Sequence, residues 1–316
     1  MDYIGQTDIV DGFRNGIKHD NLSHAFVLTG ETGIGKKTLA HFIAKALLCT
    51  EKGIAQPPCG HCRACKSFDE MINPNFFLIR SETRNIVIKQ IRELIEDISV
   101  RPLQGRKVYI IEDADKMTNQ AQNCLLKTLE EPPAYATIIL TTDKYEALLL
   151  TIRSRIVRIN LKPCSINEMK LLLQKKGINF DGKEHLLYLS RGIPGKAIQL
   201  LADKNFEENR EKTLNFVFNE DTSSKLDFNQ YLSKNKNAFY TCIDILESIY
   251  RDTLLLSCSL EDGLINADKK DNILKYANKH STVDITDKIS MIEKVRSNMK
   301  RNMNYQLAVD MLTLEI

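Results

Sequence analysis

The stretch that decides the fold is GETGIGKKT, at Gly30–Thr38. It follows an apolar run at residues 25–29 and precedes a helix-like run at residues 39–48. A strand, a glycine-rich turn and a helix in this order predict a phosphate-binding loop, in which backbone N–H groups and the positive end of the helix dipole surround phosphate oxygens. Glycine permits the backbone conformations of such a loop, and lysine supplies charge for the β- and γ-phosphates. The predicted loop residues are Gly30, Gly33, Gly35 and Lys36.

The sequence departs from the loop motif directly after Lys36. In G-x-x-x-x-G-K-[ST], the last residue carries the hydroxyl that holds Mg²⁺. This chain has Lys37 there, and Thr38 comes one residue late. Because Mg²⁺ takes oxygen ligands in near-octahedral geometry, an ammonium cannot replace the hydroxyl. We therefore expect the fold of a phosphate-binding loop without efficient hydrolysis; the simpler alternative is a loop that only connects strand to helix.

A second departure follows the apolar run at residues 108–111, which suits a strand buried on both faces of a parallel sheet. A Walker B element would place Asp and then Glu here, one to hold Mg²⁺ and one to orient water. This chain has Glu112 and then Asp113. The exchange moves each carboxylate by about one methylene, and a misplacement near 1 Å can cost about 100-fold in rate. A solvated acidic turn is the alternative.

Strand-like and helical runs alternate up to residue 163, which predicts an α/β domain with a parallel, right-handed wound sheet. Only helical patterns follow, with three short helices in residues 164–205 and an all-α domain in residues 206–316. In the last domain, Leu307, Met311 and Leu314 extend an apolar helical stripe. The predicted strands are residues 25–29, 75–79, 108–111, 137–141 and 156–159.

Four of the eight cysteines lie in one insertion after the loop helix, at residues 49–65. Two C-x-x-C spacings share Cys62, and such spacings place thiolates around a tetrahedral Zn²⁺. Four thiolates close the coordination sphere, which indicates a structural rather than a catalytic zinc site. A redox dithiol or a chance grouping is the alternative. The predicted zinc ligands are Cys49, Cys59, Cys62 and Cys65.

Composition excludes few other functions. The chain has 316 residues, is 43% hydrophobic and carries a net charge of only +3, which gives no overall electrostatic case for nucleic-acid binding. No apolar run approaches the roughly 20 residues of a membrane span, and the first residues lack the pattern of a signal peptide. We expect a cytoplasmic protein without a membrane partner, in which cysteines serve as metal ligands or buried thiols.

Together these motifs resemble the bacterial clamp-loader subunits, the AAA+ proteins of the DNA polymerase III holoenzyme. The resemblance implies a RecA-like ATPase domain at residues 1–163, a three-helix lid at 164–205 and a helical collar at 206–316. It also implies a pentameric ring with gamma/tau and delta subunits, which acts on the sliding clamp and primed DNA within a nucleotidyltransferase complex. The resemblance rests on the loop, the cysteine cluster, Gly5-Gln6, His24-Ala25, Ser154-Arg155 and the run LLKTLEEPP at Leu125–Pro133.

Within this family, two types of subunit come into question. The motor type has Ser or Thr after the loop lysine, Asp-Glu at the second acidic site, and a lid arginine that senses the γ-phosphate. This chain has Lys37, Glu112-Asp113, and a lid segment, residues 192–197, that offers only Lys196. The three departures favour the delta-prime type, a stator without turnover of its own. An ATP-hydrolysing motor and a zinc-dependent DNA-binding protein with a vestigial loop are the alternatives.

One arginine keeps a catalytic role in this reading. Ser154 and Arg155 match the family's Ser-Arg-Cys motif, with Ile156 in place of the cysteine. In the family, this motif presents an arginine finger to the ATP of the neighbouring subunit. The resemblance therefore implies that Arg155 acts in trans on phosphoryl transition-state charge. Arg153 and Arg158 are rivals for that role, and a plain surface arginine is the alternative.

Overall fold

The computed structural model divides into two compact units. One comprises residues 1–178 and 192–196, and the other comprises residues 179–191 and 197–316. The residues that the structure describes are 3–51, 57–81, 84–103, 105–261 and 263–316. Residues 52–56, inside the predicted zinc insertion, lie outside the described part of the chain.

The first unit alternates strands with helices, as its sequence predicts. Its strands are β1 Ala25–Thr29, β2 Phe76–Ile79, β3 Lys107–Ile111, β4 Ala136–Thr142 and β5 Val157–Asn160. Its helices are α1 Thr7–Lys18, α2 Lys36–Leu48, α3 Arg63–Asp69, α4 Ile88–Ser99, α5 Asn119–Glu130, α6 Leu150–Arg153 and α7 Ile166–Lys175.

The five strands form one parallel sheet in the order β2-β3-β4-β1-β5. This confirms the predicted α/β class. Strand β1 lies between β4 and β5, so that Phe26 pairs with Ile139 on one side and with Val157 on the other. Since all strands run in the same direction, the loops after β1, β3 and β4 meet at the carboxyl edge of the sheet, which is where open α/β sheets bind ligands.

Both faces of the sheet are buried, which explains the continuous apolar runs. In β1, Ala25 and Val27 belong to the core beneath α4 and α5, whereas Phe26 and Leu28 belong to the core beneath α1 and α2. All five residues of β1 are buried. Successive side chains of a strand point to opposite faces, so a strand covered on both sides has no polar face.

The second unit is all-α. Helix α12 has twelve buried residues and packs against α10, α13 and α14, so it forms the centre of this core. The predicted boundaries at residues 163 and 205 stay a prediction. The helices from residue 179 onward are α8 Glu184–Leu189, α9 Pro194–Ala202, α10 Phe206–Asn219, α11 Thr222–Lys234, α12 Phe239–Ser257, α13 Lys270–Ala277, α14 Thr282–Lys300 and α15 Tyr305–Leu314; residues 194–196 of α9 belong to the first unit.

Helix α15 differs from its predicted orientation. Leu307 and Leu314 are 52% and 72% exposed, whereas Ala308, Val309 and Leu312 are fully buried. The helix is apolar on both faces, so the spacing of three and four residues fits either face.

Among the described residues, no helix is both long and apolar enough to cross a membrane.

A buried charge network ties α4 to β3. The side chain of Lys107 is 6% exposed, and its Nζ donates to the Asp97 Oδ2 at 2.8 Å. The hydroxyl of Tyr109 donates to the same oxygen at 2.7 Å. One carboxylate therefore neutralises a buried ammonium and accepts a buried hydroxyl.

Replacing Asp97 with alanine should lower the free energy of unfolding of the first unit by about 3 kcal/mol, because the ammonium of Lys107 then stays buried without a counter-charge. Urea denaturation measures this change. Glu96→Ala, at an exposed position of the same helix, is the matched control and should change stability by less than about 0.5 kcal/mol. Equal losses in the two variants would contradict the buried-pair account.

Candidate functional site

The loop between β1 and α2 has the shape that its sequence predicts. Gly33 and Gly35 take φ values of +86° and +106°, which side chains disfavour, and Gly30 takes +146°. Helix α2 begins at Lys36 directly after the loop. Beside the loop lies a cavity of about 430 Å³ at the carboxyl edge of the sheet, lined by Thr32, Gly33, Gly35, Lys36, Lys37, Thr38, Asp113, Asp115, Lys116 and Asp143.

Lys36 is turned onto its own loop. Its side chain is 6% exposed, and its Nζ donates to the carbonyl oxygens of Gly30 at 2.9 Å and Glu31 at 2.8 Å. It also pairs with Asp143 at 2.5 Å, and Thr32 donates to the same carboxylate. Burial works against the charge of Asp143, but the hydrogen bonds from Lys36 and Thr32 hold the pKa of Asp143 below its usual value.

Asp143 is a site residue that sequence reasoning missed. It directly follows β4, which ends at Thr142. A polar residue after a buried strand of a parallel sheet lies at the ligand edge, so the signal was present in the chain. It was hidden because the partner of this carboxylate, Lys36, lies 107 positions earlier in the sequence, as the difference 143 − 36 shows.

Lys37 pairs with the two acidic residues that the sequence predicts for this site. Its Nζ is 3.1 Å from the Glu112 Oε2 and 3.0 Å from the Asp113 Oδ2. Burial opposes the charge of Lys37, but the hydrogen bonds and charges of Asp113 and Glu112 outweigh burial and raise its pKa. Burial likewise opposes the charge of Asp113, and the hydrogen bonds from Lys37 and Lys116 hold the pKa of Asp113 below its usual value. The three residues that depart from the motifs, Lys37, Glu112 and Asp113, therefore contact one another in the structure.

The charges of the cavity cancel one another. Each loop lysine already has a carboxylate within 3.1 Å, and Lys116 pairs with Asp113 at 3.1 Å. Thr38, whose hydroxyl comes one residue after the position that the motif requires, lines the cavity. An anion that enters such a site must displace protein carboxylates from the cations, which opposes the attraction that an empty phosphate-binding loop exerts.

Backbone from the predicted lid segment contacts the loop. The N–H of Gly195 donates to the carbonyl oxygen of Gly33 at 2.9 Å. A Cβ added to Gly195 would lie 2.7 Å from the Cα of Gly33, closer than real side-chain contacts. The hydroxyl of Tyr3 similarly lies 3.2 Å from the position of a Cβ on Gly35. The loop is therefore in contact with protein on two sides.

The four predicted zinc ligands come together. The Sγ atoms of Cys49, Cys59, Cys62 and Cys65 all lie within 4.8 Å of one another, and three of the four residues are buried. Zn–S bonds of about 2.3 Å in a tetrahedron require S···S separations of about 3.8 Å, so the cluster fits a zinc ion with little movement. His61 is exposed, and its ring contacts the carbonyl oxygen of Cys59.

Arg155 lies at the amino end of the strands, opposite the end that carries the phosphate-binding loop. It precedes β5, whose first residue, Val157, pairs with Phe26 near the beginning of β1. Its Nη1 donates to the carbonyl oxygen of Thr151 at 2.8 Å, and its Nη2 pairs with Glu130 at 2.7 Å. Both side chains of the pair are more than one-third exposed, at 35% and 47%, and exposed ion pairs contribute at most about 1 kcal/mol.

The two rival arginines face a tyrosine. The guanidinium carbon of Arg158 lies 4.1 Å from the ring centre of Tyr145, and that of Arg153 lies 5.5 Å from it. Arg153 also forms an ion pair with Glu146. Ser154, the other predicted residue, is exposed and accepts a hydrogen bond from the Arg155 Nη1 at 3.2 Å. The structure thus gives Arg155 different partners from its two neighbours.

Two sequence families match the chain. The family described as "DNA polymerase III, delta subunit" matches residues 5–165, and the family described as "DNA polymerase III, delta subunit, C terminal" matches residues 204–316. The first match alone spans 161 of the 316 residues, from 165 − 5 + 1, which is just over half.

Two curated relatives match over nearly the full length of this chain, and a third matches over a shorter part of it. The DNA polymerase III subunit delta' of Bacillus subtilis (strain 168) is 30% identical over 95% of this chain and 92% of its own length. The subunit gamma of Buchnera aphidicola subsp. Schizaphis graminum is 29% identical over 99% of this chain and 93% of its own length. The subunit tau of Escherichia coli (strain K12) is 32% identical over 64% of this chain but only 30% of its own length.

Solved structures give more distant likenesses. A gamma subunit-related protein of Thermotoga maritima is 20% identical, with 96% of this chain and 97% of that chain covered and a TM-score of 0.43. The DNA clamp loader delta protein of Bacillus subtilis is 13% identical, with 97% and 98% covered and a TM-score of 0.36. On the sequence matches, the chain belongs to the DNA polymerase III delta subunit family, and the delta' subunit of Bacillus subtilis is a full-length relative.

Proposed function

We propose that this chain is a delta-prime type subunit of a DNA polymerase III clamp loader. It works as a stator: it turns over no nucleotide itself and provides a fixed surface to its neighbours. Its partners are gamma/tau and delta subunits in a pentameric ring, which places the sliding clamp on primed DNA during replication. Family membership and the relative from Bacillus subtilis support the clamp-loader role.

The observation that carries the stator role is the position of Lys37. Its ammonium is within 3.1 Å of both acidic side chains that would otherwise hold Mg²⁺ and orient water. A metal ion cannot bind there unless this lysine moves, and the hydroxyl ligand that lysine replaces is missing as well. Without Mg²⁺, this chain's own cavity lacks the positive charge that hydrolysis of ATP requires.

Arg155 acts on a neighbouring subunit in this proposal. It precedes the strand that pairs with the beginning of β1, whereas the phosphate-binding loop follows the end of β1. With a rise of about 3.3 Å per residue, the five residues of β1 separate the two by roughly 16 Å. The guanidinium is thus too far from its own loop to contact phosphate there. Leu150 and Val157, close to Arg155 in the sequence, are exposed and offer apolar surface to a partner.

A second candidate is an ATP-hydrolysing motor subunit. The match to the gamma subunit of Buchnera aphidicola over 99% of this chain favours it. The motor requires a nucleotide with a coordinated metal in this chain's own cavity, so it requires that Lys37 leave Glu112 and Asp113. Nucleotide binding with and without Mg²⁺ separates the two candidates.

Lys37→Thr should create Mg²⁺-dependent ATP binding, because it frees both carboxylates and restores the hydroxyl. Titration of the isolated chain should show a gain of at least about ten-fold in affinity with Mg²⁺ over the unsubstituted chain. Lys37→Ala, which frees the carboxylates without a hydroxyl, is the matched control and should gain less. Magnesium-dependent binding and steady hydrolysis by the unsubstituted chain would favour the motor.

Arg155→Ala should reduce ATP hydrolysis at the neighbouring site by about 10³-fold or more, because transition-state charge there loses its counter-charge. ATPase assays on the reconstituted complex measure this loss, and size-exclusion chromatography checks that assembly is intact. Arg158→Ala is the control, since Arg158 stacks on Tyr145. If Arg158→Ala removed the activity and Arg155→Ala did not, the finger would be assigned to the wrong arginine.

We also propose that the cysteine cluster holds a structural zinc ion. Protein purified without chelator should then carry roughly one equivalent of zinc per chain, and Cys65→Ser should lose most of it, because three thiolates close the site poorly. Elemental analysis by mass spectrometry measures both. Cys258→Ser, at an exposed cysteine outside the cluster, should keep its zinc. A zinc-free native preparation would contradict the proposal.

A further inference from the structure

We infer that Glu130 is the positioning residue for Arg155: its carboxylate orients the guanidinium toward the partner and yields it to phosphate oxygens of a nucleoside triphosphate bound there. The inference rests on the proposed function, since it assumes that Arg155 acts in trans. It also gives a role to Glu130, a residue of the LLKTLEEPP run at Leu125–Pro133.

The backbone holds Glu130 in place. It is the last residue of α5, and the preceding Leu129 is 2% exposed in the core. The Nε2 of His24 lies 3.2 Å from the carbonyl oxygen of Leu129, which fixes the last turn from the side of β1. Pro132 and Pro133 lack backbone N–H groups and therefore prevent the helix from continuing. A carboxylate on so well-anchored a turn has a defined position.

Both terminal nitrogens of the Arg155 guanidinium contact acceptors of this chain. Three acceptors contact it in the described structure: the carbonyl oxygen of Thr151, the hydroxyl of Ser154 and the Oε1 of Glu130. A guanidinium carries five N–H donors, so it retains donors for a further acceptor. Phosphate accepts two parallel hydrogen bonds from arginine, a stronger arrangement than this single exposed contact.

The exposure of the pair suits an exchange. Glu130 is 47% exposed and Arg155 35% exposed, so water weakens their attraction and the carboxylate orients the arginine without retaining it. When a partner's triphosphate approaches, it brings several negative oxygens to a guanidinium that is 35% exposed and already fixed by contacts within its own chain. Preorganisation of this kind lowers the barrier because the charge need not be moved into place during the reaction.

Five variants test the inference in the reconstituted complex with MgATP: Glu130→Gln, Glu130→Asp, Glu131→Gln, Arg155→Ala and the double variant of Glu130→Gln with Arg155→Ala. Glu130→Gln should lower kcat about 3- to 10-fold at unchanged KM, because it disturbs orientation in the transition state and not nucleotide binding. Glu131, for which the described chain shows no ion pair, is the matched control and should stay within about two-fold. Glu130→Asp, which keeps the charge, should recover part of the loss.

The double variant separates positioning from a structural role. If Glu130 acts through Arg155, adding Glu130→Gln to Arg155→Ala should change nothing further. An equal loss in both backgrounds, or a lowered Tm of Glu130→Gln relative to Glu131→Gln, would overturn the inference. A rise in kcat would overturn it too, since the carboxylate would then restrain the arginine. Full activity of Arg155→Ala would instead remove the proposed finger itself.

Discussion

The pairing of β1 between β4 and β5 is the constraint on which the rest of the first unit depends. Because every strand is parallel and covered on both faces, each connection must return to the same end of the sheet. The glycine loop and its acidic neighbours therefore gather at the carboxyl end. His24, Glu130 and Arg155 gather at the amino end. A single topology thus places the two groups of residues at opposite ends of the strands.

At the carboxyl end of the strands, the charges around the glycine loop determine how strongly it can attract an anion. A phosphate-binding loop attracts anions because its N–H groups and lysine lack counter-charges. Here Asp143 is paired with Lys36, and Glu112 and Asp113 are paired with Lys37. The fold of the loop is therefore retained, but its electrostatic attraction is satisfied internally.

The sequence predicts elements whose causes are local and misses those whose causes are not. The buried strands follow from continuous apolar runs, and the cysteine cluster follows from C-x-x-C spacing, because neighbouring residues determine both. Helix α15 has apolar residues on more than one side, so spacing alone does not reveal that Leu307 and Leu314 are exposed. The pairs of Asp143 with Lys36 and of Glu130 with Arg155 join residues far apart in the chain, and only the folded sheet brings them together.

The contact between Gly33 and Gly195 has a consequence for which residues each position accepts. Position 33 requires glycine for two reasons: its φ is positive, and a neighbour lies close to it. Gly195, in contrast, has ordinary helical backbone in α9. In a helix, alanine is normally better than glycine by about 1 kcal/mol. The absence of a side chain at Gly195 is thus a matter of clearance and not of conformation. Two positions that differ in backbone geometry obey the same steric rule because each occupies the space that the other's methyl group would need.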